Sequence, residues 1–222
     1  SFGVLDITIQ MASLMNIYML TGLVVLLALS PTLIMLSNTR RRWFAMPIIA
    51  LAAIAALGWQ RLQHATMPDS EIHVRIVQAN IPQELKWDPN YMEQALQKHV
   101  DLTRSAGFES ANVIVWPETA FPFMLKGDSH WPKMLGSMLA EGQFLVTGVI
   151  RSEGDEDNWK IYNSLIVINH EGTIVGQYDK HHLVPFGEYV PLRQWLPLEK
   201  ITVGSTDFSA GSAPKSLKLA EG

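Results

Sequence analysis

A long run without charge constrains this chain more than any other feature. From Ile7 to Thr39, 33 residues pass with no formally charged side chain. Arg40, Arg41 and Arg42 follow, and from Trp43 to Gln60 the charge disappears again. A helix needs about 20 mainly apolar residues to cross the hydrocarbon core of a bilayer. IYMLTGLVVLLALSPTLIMLS, residues 17–37, meets that length, and lipid tolerates its Pro31 as a kink. WFAMPIIALAAIAALGW, beginning at Trp43, carries a tryptophan at each edge, where an interfacial belt places aromatic residues. A cleaved secretory signal would have its basic residues before the apolar core; here they come after it. The pattern predicts two transmembrane helices, at about 17–37 and 43–60, within a membrane segment covering 1–66. The three arginines then occupy a very short loop between them, which the positive-inside tendency puts in the cytoplasm. Everything after about residue 62 falls on the other side, which in a bacterium is the periplasmic side.

From Met67-Pro68-Asp69 onward the composition becomes that of a water-exposed domain, 67–222. HVRIVQAN (73–80) alternates like a strand, and 88–107 reads as a helix. Asp88 and Asn90 are its alternative caps, and Met92, Leu96, Val100 and Thr103 recur at helical spacing. ANVIVWP (111–117) is a short β-branched run closed by proline, the mark of a buried strand. Residues 129–142 form a second predicted helix, with Pro132 in its first turn and Gly142 near its end. Residues 143–150 read as a strand, and 151–159 as an acidic surface loop. KIYNSLIVI and TIVGQYD pair as a hairpin around a turn at 169–172. Strands and helices in this order predict a mixed α/β layer with helices covering a sheet.

The formal net charge of −4 comes without a concentrated basic surface, so no nucleic-acid partner is expected. The absence of cysteine excludes disulfides and thiolate metal sites within these residues.

Two places can carry chemistry. Glu118 follows Trp116-Pro117 at a strand end, where proline stiffens the backbone and open sheets place their sites. Apolar neighbours such as Trp116 and Phe121 would desolvate its carboxylate, which suits a general base; the competing reading is a capping or salt-bridged glutamate. In QYDKHHLVPFGEYVPL (177–192), Lys180 and Glu188 are the charges able to point inward. A lysine at a strand end can hold a developing oxyanion. Asp179 reads as a turn residue. His181 and His182 point opposite ways on an extended chain and have no matched cluster, so no metal is expected. Glutamate and lysine lack a nucleophile, and no serine or threonine here sits in an elbow pattern.

VIVWPETAFP together with YNSLIVINHEGTIVGQYDKHHLVPFGEYVPL, and IPQELKWDP at 81–89, resembles the apolipoprotein N-acyltransferases. These are membrane enzymes of the nitrilase, or carbon–nitrogen hydrolase, superfamily. The resemblance implies an α+β fold, a nitrilase-like αββα sandwich, here incomplete and preceded by two transmembrane helices. It implies Glu118 as general base, Lys180 as stabiliser of the tetrahedral intermediate, and supporting roles for Glu188 and Trp87. The family's nucleophilic cysteine lies beyond the lysine and is absent here, so the chain is expected to be an inactive portion of a longer protein. The implied reaction moves an acyl chain from a phospholipid, through a thioester, to the N-terminal diacylglyceryl-cysteine of an apolipoprotein. No metal or organic cofactor is implied, and the implied location is the bacterial inner membrane with the catalytic domain on the periplasmic side. Two rival readings are a membrane-anchored amidase acting on a small amide and a non-catalytic binding homologue. Phe121, Phe123, Met124 and Leu125, which follow the glutamate, are expected to form a loop dipping to the lipid surface, with Trp131 nearby; the alternative is ordinary core.

Overall fold

The computed structural model describes residues 6–36, 40–64, 71–155, 158–191 and 207–219, with backbone alone at 33–36 and 40–45. The chain divides into two compact units, Ser1–Asp69 and Ser70–Gly222.

The first unit is helical. A short helix α1 (Asp6–Ile9) and a 3-10 turn precede α2 (Ile17–Leu36) and α3 (Arg40–His64). The Asn16 side chain accepts the Met19 N–H at 3.0 Å, capping the start of α2. Arg40, Arg41 and Arg42, expected in a loop, form the first turn of α3. The connection at 37–39 lies outside the described residues. Apolar side chains point outward nearly all round α2: Tyr18 is 83% exposed and Leu26 65%. Among the described residues, no helix is long and apolar enough to cross a membrane.

The second unit is α+β, built on one mixed sheet. Its strands are β1 (Val74–Ile76), β2 (Val113–Val115), β3 (Met124–Leu125), β4 (Phe144–Glu153), β5 (Lys160–Asn169) and β6 (Ile174–Asp179). The order is β1-β2-β4-β5-β6, with β3 also pairing β4. β1, β2 and β4 run parallel, whereas β5 is antiparallel to β4 and to β6. The hairpin turn forms where expected. Asn169 Oδ1 accepts the Thr173 N–H at 2.8 Å, and Gly172 takes the left-handed φ of 77° that glycine permits.

Three predicted elements change their bounds. The acidic loop begins later than expected, because Arg151–Glu153 continue β4 against Lys160–Tyr162 of β5. The helix predicted over 88–107 is α4 (Met92–Thr103), and the one over 129–142 is the shorter α5 (Trp131–Gly136). Asp88 makes a turn before α4 by accepting the Asn90 N–H at 2.9 Å.

The core lies between these helices and the sheet. Ile114, Trp116, Phe121, Leu135, Leu145, Val149, Ile166 and Ile168 form its centre, and Leu96, Val100, Phe123 and Trp131 pack against it. The aromatic run after Glu118 belongs to this core. Phe121 and Leu125 are 1% and 4% exposed, and Phe123 stacks on Trp131 at 4.4 Å. Burying such side chains in the core yields about 1.5–3 kcal/mol each without any lipid surface. Only Met124 of the four is exposed.

Candidate active site

Strand direction explains why distant residues converge. β2, β4 and β6 share one direction and β5 runs against them. The C-terminal ends of β2 and β6 therefore meet the N-terminal part of β5 at one edge of the sheet. Glu118 follows β2, Lys180 follows β6, and Asn163 lies early in β5.

The end of β2 is held from two sides. Trp116 donates its indole N–H to Thr103 Oγ1 on α4 at 2.9 Å, and its backbone N–H to Val146 O on β4 at 2.9 Å. Thr103 in turn donates to His99 O, and the His99 ring lies 5.0 Å from the indole. Among the described residues, no fully buried side-chain nitrogen or oxygen is left without a partner. Beyond it, the Glu118 backbone passes over Gly148 of β4. A Cβ on Gly148 would meet Thr119 N at 2.4 Å and Glu118 Cα at 2.7 Å. A glycine inside a strand often marks such a close backbone approach. Thr119 completes the turn at a φ of 48°, uncommon for a β-branched residue.

At the centre, Asn163 Nδ2 donates to Glu118 Oε1 at 2.6 Å and to Glu188 Oε1 at 2.8 Å. Lys180 Nζ lies 3.0 Å from Glu188 Oε1 and 3.4 Å from Glu118 Oε1. The second Glu188 oxygen accepts the Val184 N–H at 2.8 Å. Burial by itself lowers the Lys180 pKa. The Glu188 hydrogen bond and the charges of Glu118 and Glu188 overcome this and hold it above the ordinary lysine value. Burial likewise raises Glu188, but hydrogen bonds from Asn163, Val184 and Lys180 hold it below the usual carboxylate range. The cluster thus contains two carboxylates sharing one ammonium and one amide. The Glu118 side chain remains 65% exposed, whereas Glu188 is 12% exposed. Trp116 and Phe121, expected to desolvate Glu118, turn into the core instead, while the Glu118 carboxylate meets polar partners.

Two further elements hold the cluster. The segment 207–211 crosses the Lys180 loop. Phe208 N–H donates to Glu188 O, Ser209 N–H to Ile161 O and Gly211 N–H to Lys180 O, at 2.7–2.9 Å. On the other side of Glu118, Lys86 Nζ donates to the Glu118 backbone carbonyl at 3.1 Å, which ties the turn carrying Trp87 to the site. Trp87 itself is half-buried in that turn.

The remaining residues singled out in the sequence do other work. Asp179 is a strand residue rather than a turn residue. Its carboxylate accepts from Arg151 at 3.0 and 3.2 Å and from Ser164 at 2.6 Å. Burial raises its pKa, and the bonds from Arg151 and Ser164 more than reverse that. His181 is bonded through Nδ1 to Gly211 O at 2.7 Å. Among the described residues, no group of three His, Cys, Asp or Glu side chains could hold a metal ion.

Sequence reasoning missed Asn163, Lys86 and Gly148. Asn163 left a signal, since an asparagine is out of place in the apolar strand YNSLIVI unless a buried partner requires it. Lys86 and Gly148 act through backbone contacts that no local pattern shows.

A mixed sheet with a glutamate and a lysine brought together at one edge fits a known family. Residues 73–201 match the carbon–nitrogen hydrolases, and the chain belongs to that family. Among its relatives is an apolipoprotein N-acyltransferase of Rhodopseudomonas palustris, 33% identical over 95% of this chain and 42% of that protein. An apolipoprotein N-acyltransferase of Caulobacter vibrioides is 32% identical over the same shares. The chain therefore spans well under half the length of these relatives. A solved N-terminal amidase shows a faint likeness, with a TM-score of 0.38 and 21% identity over 50% of this chain and 28% of that one.

Proposed function

We propose that the whole protein is an apolipoprotein N-acyltransferase: it takes an acyl chain from a phospholipid and places it on the N-terminal diacylglyceryl-cysteine of a lipoprotein. The observation that carries this reading is the convergence of Glu118, Lys180, Glu188 and Asn163 at one sheet edge, in a chain resembling enzymes of that name. The nucleophile in this reading is a cysteine outside these residues, because the chain itself contains none.

Glu118 takes the thiol proton, and the thiolate attacks the donor ester carbonyl. The Lys180 ammonium stabilises the negative charge that develops on that oxygen. The C–O ester bond breaks, the proton held by Glu118 passes to the leaving alkoxide, and a lysophospholipid departs from a thioester. The α-amino group of the diacylglyceryl-cysteine then attacks the thioester. The C–S bond breaks, an amide forms, and Glu118 takes the amine's proton and returns it to the departing thiolate, restoring the thiol. Asn163 and Glu188 keep the two charged groups in register. Trp87, on the turn tied to Glu118, is given a supporting role. The reaction as drawn requires no metal or organic cofactor.

The same reading places 1–66 in the bacterial inner membrane as two spanning helices and 67–222 on the periplasmic side, as part of an αββα sandwich. The outward apolar side chains of α2, such as Tyr18, Val25, Leu26 and Leu29, support membrane burial, since so large an exposed apolar surface needs a non-aqueous cover.

The test uses the full-length protein in phospholipid vesicles with a radiolabelled acyl donor and a diacylglyceryl-cysteine peptide. The expected result is label first on the enzyme as a thioester and then on the peptide as an amide. Turnover of a small amide with no lipid-derived acyl-enzyme would replace this reading with a membrane-anchored amidase. Absence of any acyl-enzyme would leave a binding homologue.

A further inference from the structure

We propose that Lys86 is a positioning residue for Glu118, holding the Glu118–Thr119 peptide in its strained orientation so that the carboxylate stays on Asn163 and Lys180. The inference rests on the general-base reading of Glu118 above.

The turn is anchored on either side of the Glu118 carbonyl, by bonds to Pro117 O and by Phe121 N–H on Gly148 O at 3.2 Å. The Pro117 carbonyl accepts two N–H groups, from Ala120 at 3.2 Å and Gly148 at 3.3 Å. The next carbonyl, that of Glu118, is rotated out of that turn by the positive φ of Thr119 and accepts the Lys86 ammonium. Directly beneath, Gly148 offers no side chain to pack against. Lys86 thus grips the peptide at its carbonyl, while Asn163 and Lys180 bind the carboxylate of the same residue. One residue, Glu118, is then bound by two ammonium groups: Lys180 at its carboxylate and Lys86 at its backbone carbonyl.

Lys86 is half-buried where it meets Glu118. Lys86 lines a cavity of about 150 Å³ with Gln78, Asn80, Gln83, His99 and Thr119. Asn80 has a φ of 49°, so the loop that delivers Lys86 is itself bent into an uncommon conformation. His99, 3% exposed, has its Nδ1 on Ala95 O. Burial pulls the Lys86 pKa down, more than the nearby Glu118 charge raises it. The contact that the proposal rests on is the 3.1 Å bond from Lys86 Nζ to Glu118 O. Because Trp87 is the next residue, the same bond fastens the Trp87 turn to the proposed base.

The test compares Lys86→Met and Lys86→Arg with Lys160→Met, an exposed control on β5, in the full-length protein in phospholipid vesicles. Met preserves length and packing but removes the donor, while Arg preserves the donor. The expected result for Lys86→Met is a drop of about a hundredfold in the single-turnover acylation rate, the loss a misplacement of about 1 Å can cause. KM for the phospholipid stays within about twofold, as expected when an interaction made only in the transition state is lost. Lys86→Arg recovers at least a tenth of the wild-type rate. A raised KM with an unchanged acylation rate would overturn the proposal, since Lys86 would then contact substrate. Equal impairment of the Arg and Met variants would also overturn it.

Iodoacetamide alkylation of the nucleophilic thiol is the second readout, because it reports Glu118 without any lipid. Slower alkylation in Lys86→Met, rescued by Arg, supports the proposal even if phospholipid proves not to be the donor. Unchanged alkylation in a folded Lys86→Met variant overturns it while leaving the acyl-donor assignment intact.

Discussion

At Gly148 a missing side chain is what lets Glu118 reach its partners. The Glu118–Thr119 backbone lies where any Cβ would stand. Gly148→Ala is expected to cost about 1–3 kcal/mol as an overpacked site and to lower acyl transfer by more than tenfold, because the backbone carrying Glu118 must move. Thermal melts and turnover of the same variant separate the two effects. Glu118→Gln keeps the Asn163 and Lys180 contacts in outline but removes the base, and should lower the acylation rate by about 10²–10⁴-fold. Lys180→Met should cost a similar factor, about 10²–10³, as loss of an oxyanion partner. Equal single-turnover rates for wild type and either variant would show that the cluster is not the reacting centre.

Elements matter because they carry these residues from far apart in the chain. β5 contributes Asn163 only because it runs against β4 and β6; a parallel β5 would take Asn163 to the far edge. The junction of β2 with α4 depends on one indole hydrogen bond, Trp116 to Thr103. Trp116→Phe keeps most of the apolar burial and removes that donor. It also leaves Thr103 Oγ1 with one partner fewer, so a loss of about 1–2 kcal/mol in stability is expected by denaturant titration. The 207–211 segment is a second such element. A Cβ on Gly211 would meet Asp179 O at 2.1 Å, so Gly211→Ala should detach the segment from Lys180 O. The expected readout is a fall in turnover larger than the fall in melting temperature implies.

For the whole molecule, the paired charges set a stability plateau. Glu188 and Asp179 are held below the usual carboxylate range. Their contribution is present above the unfolded values near 4, and is lost as pH falls through the lower folded values. Lys180 is held above the ordinary lysine value, so its contribution is complete below about 10.4 and is lost as pH rises through its folded value. Melting temperature should therefore be flat across neutral pH and fall at both extremes. In Glu188→Gln the acid-side fall should be shallower. An unchanged acid limb would mean that Glu188 is not coupled to folding. Membrane insertion is tested at the same scale: Leu26→Arg in α2 should cost about 2.5–3.5 kcal/mol of insertion if that helix spans a bilayer, and little if it does not.

The sequence by itself determined the sequence-local features. The charge-free runs, the strand–helix alternation and the hairpin turn at 169–172 were legible, because each depends on neighbours within a few residues; Glu118, Lys180 and Glu188 could be singled out as candidates, but their meeting could not. Boundaries were less so: the acidic composition of 151–159 hid the end of β4, whose pairing with β5 outweighs local propensity. Three things were decided by the tertiary structure alone. Asn163 became the bridge between two carboxylates through antiparallel register. Gly148 became the passage for the Glu118 backbone through a crossing of chain segments 30 residues apart. Lys86 became a partner of Glu118 through a loop folded back from β1. Each is a contact between backbone and distant side chain or backbone, and its energy depends on three-dimensional proximity that periodicity and composition do not encode.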